Sequence, residues 1–280
     1  MDLASRNQLK ETVKKLTQLE VLDMSRTNSA KFKRLFLEIL PEENHLHTIV
    51  LNQSYDDDED DEYYYGDGNL KNLVELIVRK WSNSLKCLKW RFLKENVKQL
   101  NFLSSKLRCL HLFFDCADSD DLLHSLAPNK TLTELKLANE DLGGEEFYST
   151  LIQRLPNLTE LDLSALYICD EDMTYIFRYL VHMRKLFLPP CSGNPNEEDL
   201  LSKPNISELK RLQTFQSCLR PIKVLPISNS NFKFQELIKL HLLDCLRNKR
   251  FCWTKVVDTS MHFPVVEEFS TDITCAGEIA

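Results

Sequence analysis

The sequence predicts an α/β solenoid, with short parallel strands on a concave face and helices on a convex face. Three observations carry that expectation. An apolar pattern, L-x-x-L-x-L or a near copy, recurs along the 280 residues. The copies follow one another at nearly constant steps. The stretches between several of them carry apolar residues at helical spacing.

The clearest copies are LEVLDM (Leu19, Leu22, Met24), LHTIVL (Leu46, Ile49, Leu51), LVELIV (Leu73, Leu76, Val78) and LRCLHL (Leu107, Leu110, Leu112). They continue with LTELKL (Leu132, Leu135, Leu137), LTELDL (Leu158, Leu161, Leu163), MRKLFL (Met183, Leu186, Leu188) and LIKLHL (Leu237, Leu240, Leu242). LKRLQT (Leu209, Leu212) and VVEEFS (Val266, Phe269) are weaker. The second anchors, at 22, 49, 76, 110, 135, 161, 186, 212, 240 and 269, give steps of 27, 27, 34, 25, 26, 25, 26, 28 and 29. The 34-residue step reads as an insertion, or as a poor copy near Leu100 and Phe102.

This pattern resembles the leucine-rich repeat over residues 16–271. That resemblance implies a single solenoid of about ten repeats spanning residues 1–280. In each L-x-L the two apolar side chains point to one side of a strand and the residue between them to the other. Four segments are expected to be helices. SAKFKRLFLEIL places Phe32, Leu35, Phe36, Ile39 and Leu40 on one stripe, with Ser29 as its cap. CDEDMTYIFRYL places Met173, Ile176, Phe177 and Leu180 likewise, with Asp170 as cap. DSDDLLHSLA and GGEEFYSTLIQRL carry acids in the first turn, where the helix dipole favours them. A further helix (Leu9, Val13, Leu16) opens the chain, and neither end reads as a dedicated cap for the solenoid.

The formal net charge is -7. Of 42 acids, eight lie at 56–62 and 67, and the other 34 balance 35 Lys and Arg. Without a basic surplus, nucleic acid is not an expected partner. The nine cysteines form no C-x-x-C pair, and no apolar run or leader points to a membrane or to secretion. The expected setting is therefore cytoplasmic or nuclear, with free thiols and unglycosylated sequons at Asn52, Asn129, Asn157 and Asn205.

The acidic stretch YDDDEDDEYYYGDGN, residues 55–69, follows one copy of the pattern and precedes the next. Asp56, Asp58, Asp60 and Asp67 match alternate and terminal positions of a calcium loop, but Asp61 stands where the sharp turn needs glycine. The expectation is a solvated, disordered loop that replaces the helix of one repeat.

No catalytic signature occurs, so no enzyme and no cofactor are expected. Cys109, His111 and Cys116 lack zinc spacing, and no metal site is expected either. Cys191 and Cys245 occupy the loop position after the strand, where structural cysteines pack. The positions turned outward on the concave strands form the candidate protein-binding row: Arg79, His111, Phe113, Lys136, Asp162, Phe187, His241 and Leu243. Pro189 also falls on an outward position.

Strand-helix repeats with cysteine in the loop position resemble the F-box leucine-rich-repeat proteins. LEVLDMSRT and LTELDLSAL resemble the repeats of the ZYG-type cullin adaptors. Both resemblances imply the substrate-recognition arm of a cullin-RING ubiquitin ligase, with a protein bound on the concave face. No F-box residue is present, so ligase components would be recruited through a segment outside this sequence. LKLANEDLGGEEF resembles the ribonuclease-inhibitor repeat, with Glu140 in place of Asn. It implies the alternative of a scaffold or inhibitor, in the company of tropomodulin-like regulators and immune sensors.

Overall fold

The computed structural model describes residues 3–27, 29–51, 68–92, 106–114, 127–138, 142–166, 168, 170–189, 211–218, 236, 238–243 and 267–271. Ten strands form one parallel sheet in strict chain order. They are β1 (Val21–Asp23), β2 (Thr48–Val50), β3 (Cys87–Phe92), β4 (Cys109–Phe114) and β5 (Glu134–Ala138), then β6 (Glu160–Asp162), β7 (Lys185–Phe187), β8 (Thr214–Cys218), β9 (Lys239–Leu243) and β10 (Glu268–Thr271). The helices are α1 (Leu3–Val13), α2 (Ala30–Ile39), α3 (Gly68–Trp81), α4 (Glu145–Arg154) and α5 (Asp170–Tyr179). This is a leucine-rich-repeat solenoid. No helix among the described residues is long and apolar enough to cross a membrane.

The register repeats from coil to coil. The carbonyl just before each strand accepts the N–H groups of two successive residues in the next coil. Glu20, His47, Lys86, Arg108, Thr133, Thr159, Arg184 and Gln213 all do so, at 2.7–3.2 Å. Leu22, Ile49, Leu88, Leu110, Leu135, Leu161, Leu186 and Phe215 therefore stack one on the next, and each is buried. Burying each such side chain contributes about 1.5–3 kcal/mol, shared only with neighbouring coils. The helices close the same core with Leu37, Leu76, Ile77, Trp81, Phe147, Leu151 and Ile176.

Local chemistry explains the helix ends. The Ser29 hydroxyl accepts the Phe32 N–H at 3.2 Å, the expected N-cap. Lys80, on α3, donates its ammonium to the carbonyls of Leu37, Glu38 and Leu40 at 2.9, 2.9 and 2.7 Å. It thus satisfies the orphan carbonyls at the end of α2. Burial pushes the Lys80 pKa down. Gly144 precedes α4 with φ +88°, a conformation that disfavours other residues. Its N–H donates to the buried Asp172 carboxylate at 2.6 Å.

Several expectations are corrected. LVELIV is part of helix α3, and the third strand is Cys87–Phe92, whose anchor Leu88 lies twelve residues after the expected one at Leu76. Leu73, Leu76 and Val78 fit L-x-x-L-x-L, while Leu73, Leu76, Ile77 and Trp81 form the buried helical stripe. The true copy, Leu85, Leu88 and Trp90, is disguised by tryptophan in its last position. In LKRLQT, Leu212 is the first anchor rather than the second, because Phe215 pairs with Leu186 and Leu240. The steps between aligned anchors become 27, 39, 22, 25, 26, 25, 29, 25 and 29. The acidic stretch sits in the 39-residue step, and its coil keeps a helix, α3, which begins at Gly68. The expectation of disorder for the acidic run falls outside the described residues, as do the DSDDLLHSLA helix apart from Ala127, Cys116, Glu140, Cys191 and Cys245. Asp170 is the first residue of α5 rather than its cap. Pro189 is buried, not outward.

Candidate binding face on the open side of the sheet

Because strand side chains alternate, the residues flanking each buried anchor point away from the helices. Two in-register rows result. One aligns Asp23, Val50, Lys89, His111, Lys136, Asp162, Phe187, Gln216, His241 and Ser270. The other, two residues earlier and so just before each anchor, includes Cys87, Cys109, Glu134, Glu160 and Lys185.

Four of the eight expected row residues lie there with described side chains: His111, Lys136, Asp162 and Phe187. Phe187 is half-buried. Phe113, His241 and Leu243 are placed on β4 and β9, but their side chains are outside the described set. Arg79 is a correction. It is an exposed residue of α3, which packs its buried stripe against the opposite side of the sheet.

The charges on this face are paired between coils. Lys136 Nζ donates to Asp162 Oδ2 at 2.6 Å, and both side chains are about a quarter exposed (26% and 24%). Burial alone would raise the Asp162 pKa. The Lys136 ammonium and the Ser164 hydroxyl and N–H, at 2.6 and 2.9 Å, outweigh it and hold the carboxyl below its usual range. Asp23 and Ser25 repeat this Asp-x-Ser turn in the first coil. Lys185 donates to Glu160 at 2.9 Å.

The tightest cluster spans β3, β4 and β5. Cys87 and Cys109 face each other across the register, with their sulfurs 2.9 Å apart. Glu134 pairs with Cys109 on the other side, and its Oε1 lies 2.7 Å from His111 Nε2. Donor atoms of Cys109, His111 and Glu134 all lie within 4.8 Å of one another. The His111 hydrogen bond, with help from Cys109, pulls the Glu134 pKa down to about 2 against the effect of burial. The Cys109 S–H eases the first ionisation at Cys87. That same bond, burial and nearby negative charge push the Cys109 thiol up.

Spacing along the chain concealed this group. Cys87 lay in the unrecognised third strand. Glu134 occupies the outward position before an anchor, a row that the sequence reading passed over. The available signal was the LKCLKW copy and its alignment with LRCLHL and LTELKL.

No protein-family model and no curated protein matches the chain. Among solved structures it is similar to a chain of the TLR13–ssRNA13 complex, at 18% identity and a TM-score of 0.44. That match covers 83% of this chain and 30% of the other, so this chain spans less than a third of that protein's length. It is also similar to a chain of the Rad7 and Elc1 complex in yeast, at 13% identity and a TM-score of 0.42. There 93% of this chain and 77% of the other are covered.

Proposed function

We propose that the chain is a non-catalytic protein-interaction module whose open sheet face holds a polypeptide partner. The observation that supports this most is the face itself. Rows of charged side chains from successive coils remain part-exposed there beside the half-buried Phe187 ring. Alternating Glu134, Lys136, Glu160 and Lys185 suit a peptide of mixed charge better than the uniform phosphates of nucleic acid. Aromatic residues at such positions serve as anchors.

Within that class, the substrate-recognition arm of a cullin-RING ligase is the reading we favour, because the repeat motifs resemble the F-box and ZYG-type receptors. It implies a cytoplasmic or nuclear setting and ligase components recruited outside the repeats. The full-length gene product should co-purify with the F-box-binding adaptor of a cullin complex. The Lys136→Glu/Phe187→Ala double variant should lose its bound substrate, while Arg79→Glu on α3 keeps it. Absence of the adaptor from full-length product would remove the ligase role and leave a scaffold or inhibitor. Loss of the partner in Arg79→Glu alone would overturn the sheet-face assignment.

A further inference from the structure

We propose that Cys87, Cys109, His111 and Glu134 form a four-coordinate zinc site across strands β3, β4 and β5. The donor set is two sulfurs, one imidazole nitrogen and one carboxylate oxygen. Each is a normal zinc ligand, and thiolate with imidazole selects a borderline-soft ion over magnesium or calcium.

The backbone delivers these donors side by side. The pairings Cys87↔Cys109 and Cys109↔Glu134 put three of them at one level of the pleat. His111 follows Cys109 by two residues, so it rises from the same face. Neighbouring strands lie about 4.8 Å apart, a separation that rotamers of Cys and Glu span. Three donors already converge, with the Cys109, His111 and Glu134 ligand atoms within 4.8 Å of one another and imidazole to carboxylate at 2.7 Å, and Cys87 joins them through Cys109, sulfur to sulfur 2.9 Å.

Each short contact brings together two lone-pair atoms, which requires a proton between them. A zinc ion can take the place of those protons. Binding would release the two thiol protons, move the His111 proton from Nε2 to Nδ1 so that Nε2 can ligate, and open the sulfurs to about 3.8 Å, the spacing set by tetrahedral bonds of about 2.3 Å. Two thiolates and one carboxylate against the dication leave a single net negative charge. Lys89, two residues after Cys87 on β3 and in register with His111, can offset that charge. The site would fasten β3 and β4, joined by the shortest step in the solenoid, 22 residues, to β5.

The test uses the full chain, reduced and stripped with a chelator under inert gas, then titrated with cobalt(II) and with zinc. Cobalt should give the intense visible bands of tetrahedral coordination and a near-ultraviolet thiolate charge-transfer band, both lost when one equivalent of zinc is added. Single variants Cys87→Ser and His111→Gln should weaken zinc binding by at least about tenfold. Cys191→Ser should leave it unchanged. Far-ultraviolet circular dichroism of the single variants separates lost binding from lost folding. Cobalt spectra unchanged by both Cys87→Ser and His111→Gln would overturn the site. So would octahedral spectra only. A Cys87–Cys109 disulfide in freshly isolated protein, persisting where zinc is available, would replace the metal site by a redox pair and overturn it equally.

Discussion

Replacing Lys80 with methionine should loosen the end of α2, although Lys80 belongs to α3 and lies 40 residues beyond the last carbonyl it holds. The ammonium bonds three carbonyls at 2.7–2.9 Å and sits 5.3 Å from the Trp81 ring centroid. Hydrogen bonds involving a charged group contribute about 1.5–3 kcal/mol, and orphaned carbonyls cost a similar amount. The cation at a helix C-terminus and over an indole adds about 0.5–1 kcal/mol each. Against this stands the desolvation of the ammonium, visible in its lowered pKa. Methionine keeps the stem that packs and relieves that desolvation. The net loss should be about 2–3 kcal/mol. Because stability in a solenoid is local, the assay is residue-resolved hydrogen exchange. The Leu40 amide, bonded to the Phe36 carbonyl, should exchange about 30- to 140-fold faster. Amides of α4 should be unaffected. A change below about threefold would mean that residues 73–81 do not meet α2 as a helix, and would reinstate the strand expected from LVELIV.

Other parts of the structure give equally direct expectations. Asp162→Asn should cost about 2 kcal/mol at neutral pH, where the carboxylate bonds Lys136 and Ser164. The folded-state pKa is depressed, so this contribution is full above the ordinary carboxylate value and is lost as pH falls through the folded one. Urea midpoints of wild type and variant should therefore converge as the pH falls well below the ordinary carboxylate range. Gly143→Ala would put a Cβ 2.8 Å from Asp172 Oδ1, so it should destabilise the α4–α5 coils by about 1–3 kcal/mol in chemical denaturation. Leu161→Ala should leave a cavity costing about 2–5 kcal/mol, with protection lost in β5, β6 and β7 while β1 is spared.

The architecture was legible where a coil advertises itself twice, by an intact L-x-x-L-x-L and by a near-constant step. Leu107 to Leu112, Leu132 to Leu137 and Leu158 to Leu163 all stand as read, with every anchor buried. Reading failed where two periodicities coincide. Leu73 and Leu76 satisfy the repeat and a helical face together, and only strand pairing from His47 and Lys86 separates the two. At LKRLQT the anchor Phe215 is aromatic and its partner at 217 is Ser, so the apolar rhythm fades and the eye settles three residues early. The outward row was recoverable wherever the register was right, as at His111, Lys136, Asp162 and Phe187. Arg79 failed with its helix. The cysteine, histidine and glutamate cluster is a property of neighbouring strands, and spacing along one strand does not encode it.

The most direct test of the binding face is a photo-crosslinking amino acid placed at Phe187 on β7, and separately at Arg79 on α3, in the full chain inside cells. The account predicts a discrete, higher-mass protein adduct from position 187 and none from position 79. An adduct from position 79 alone would contradict it and assign binding to the helical side.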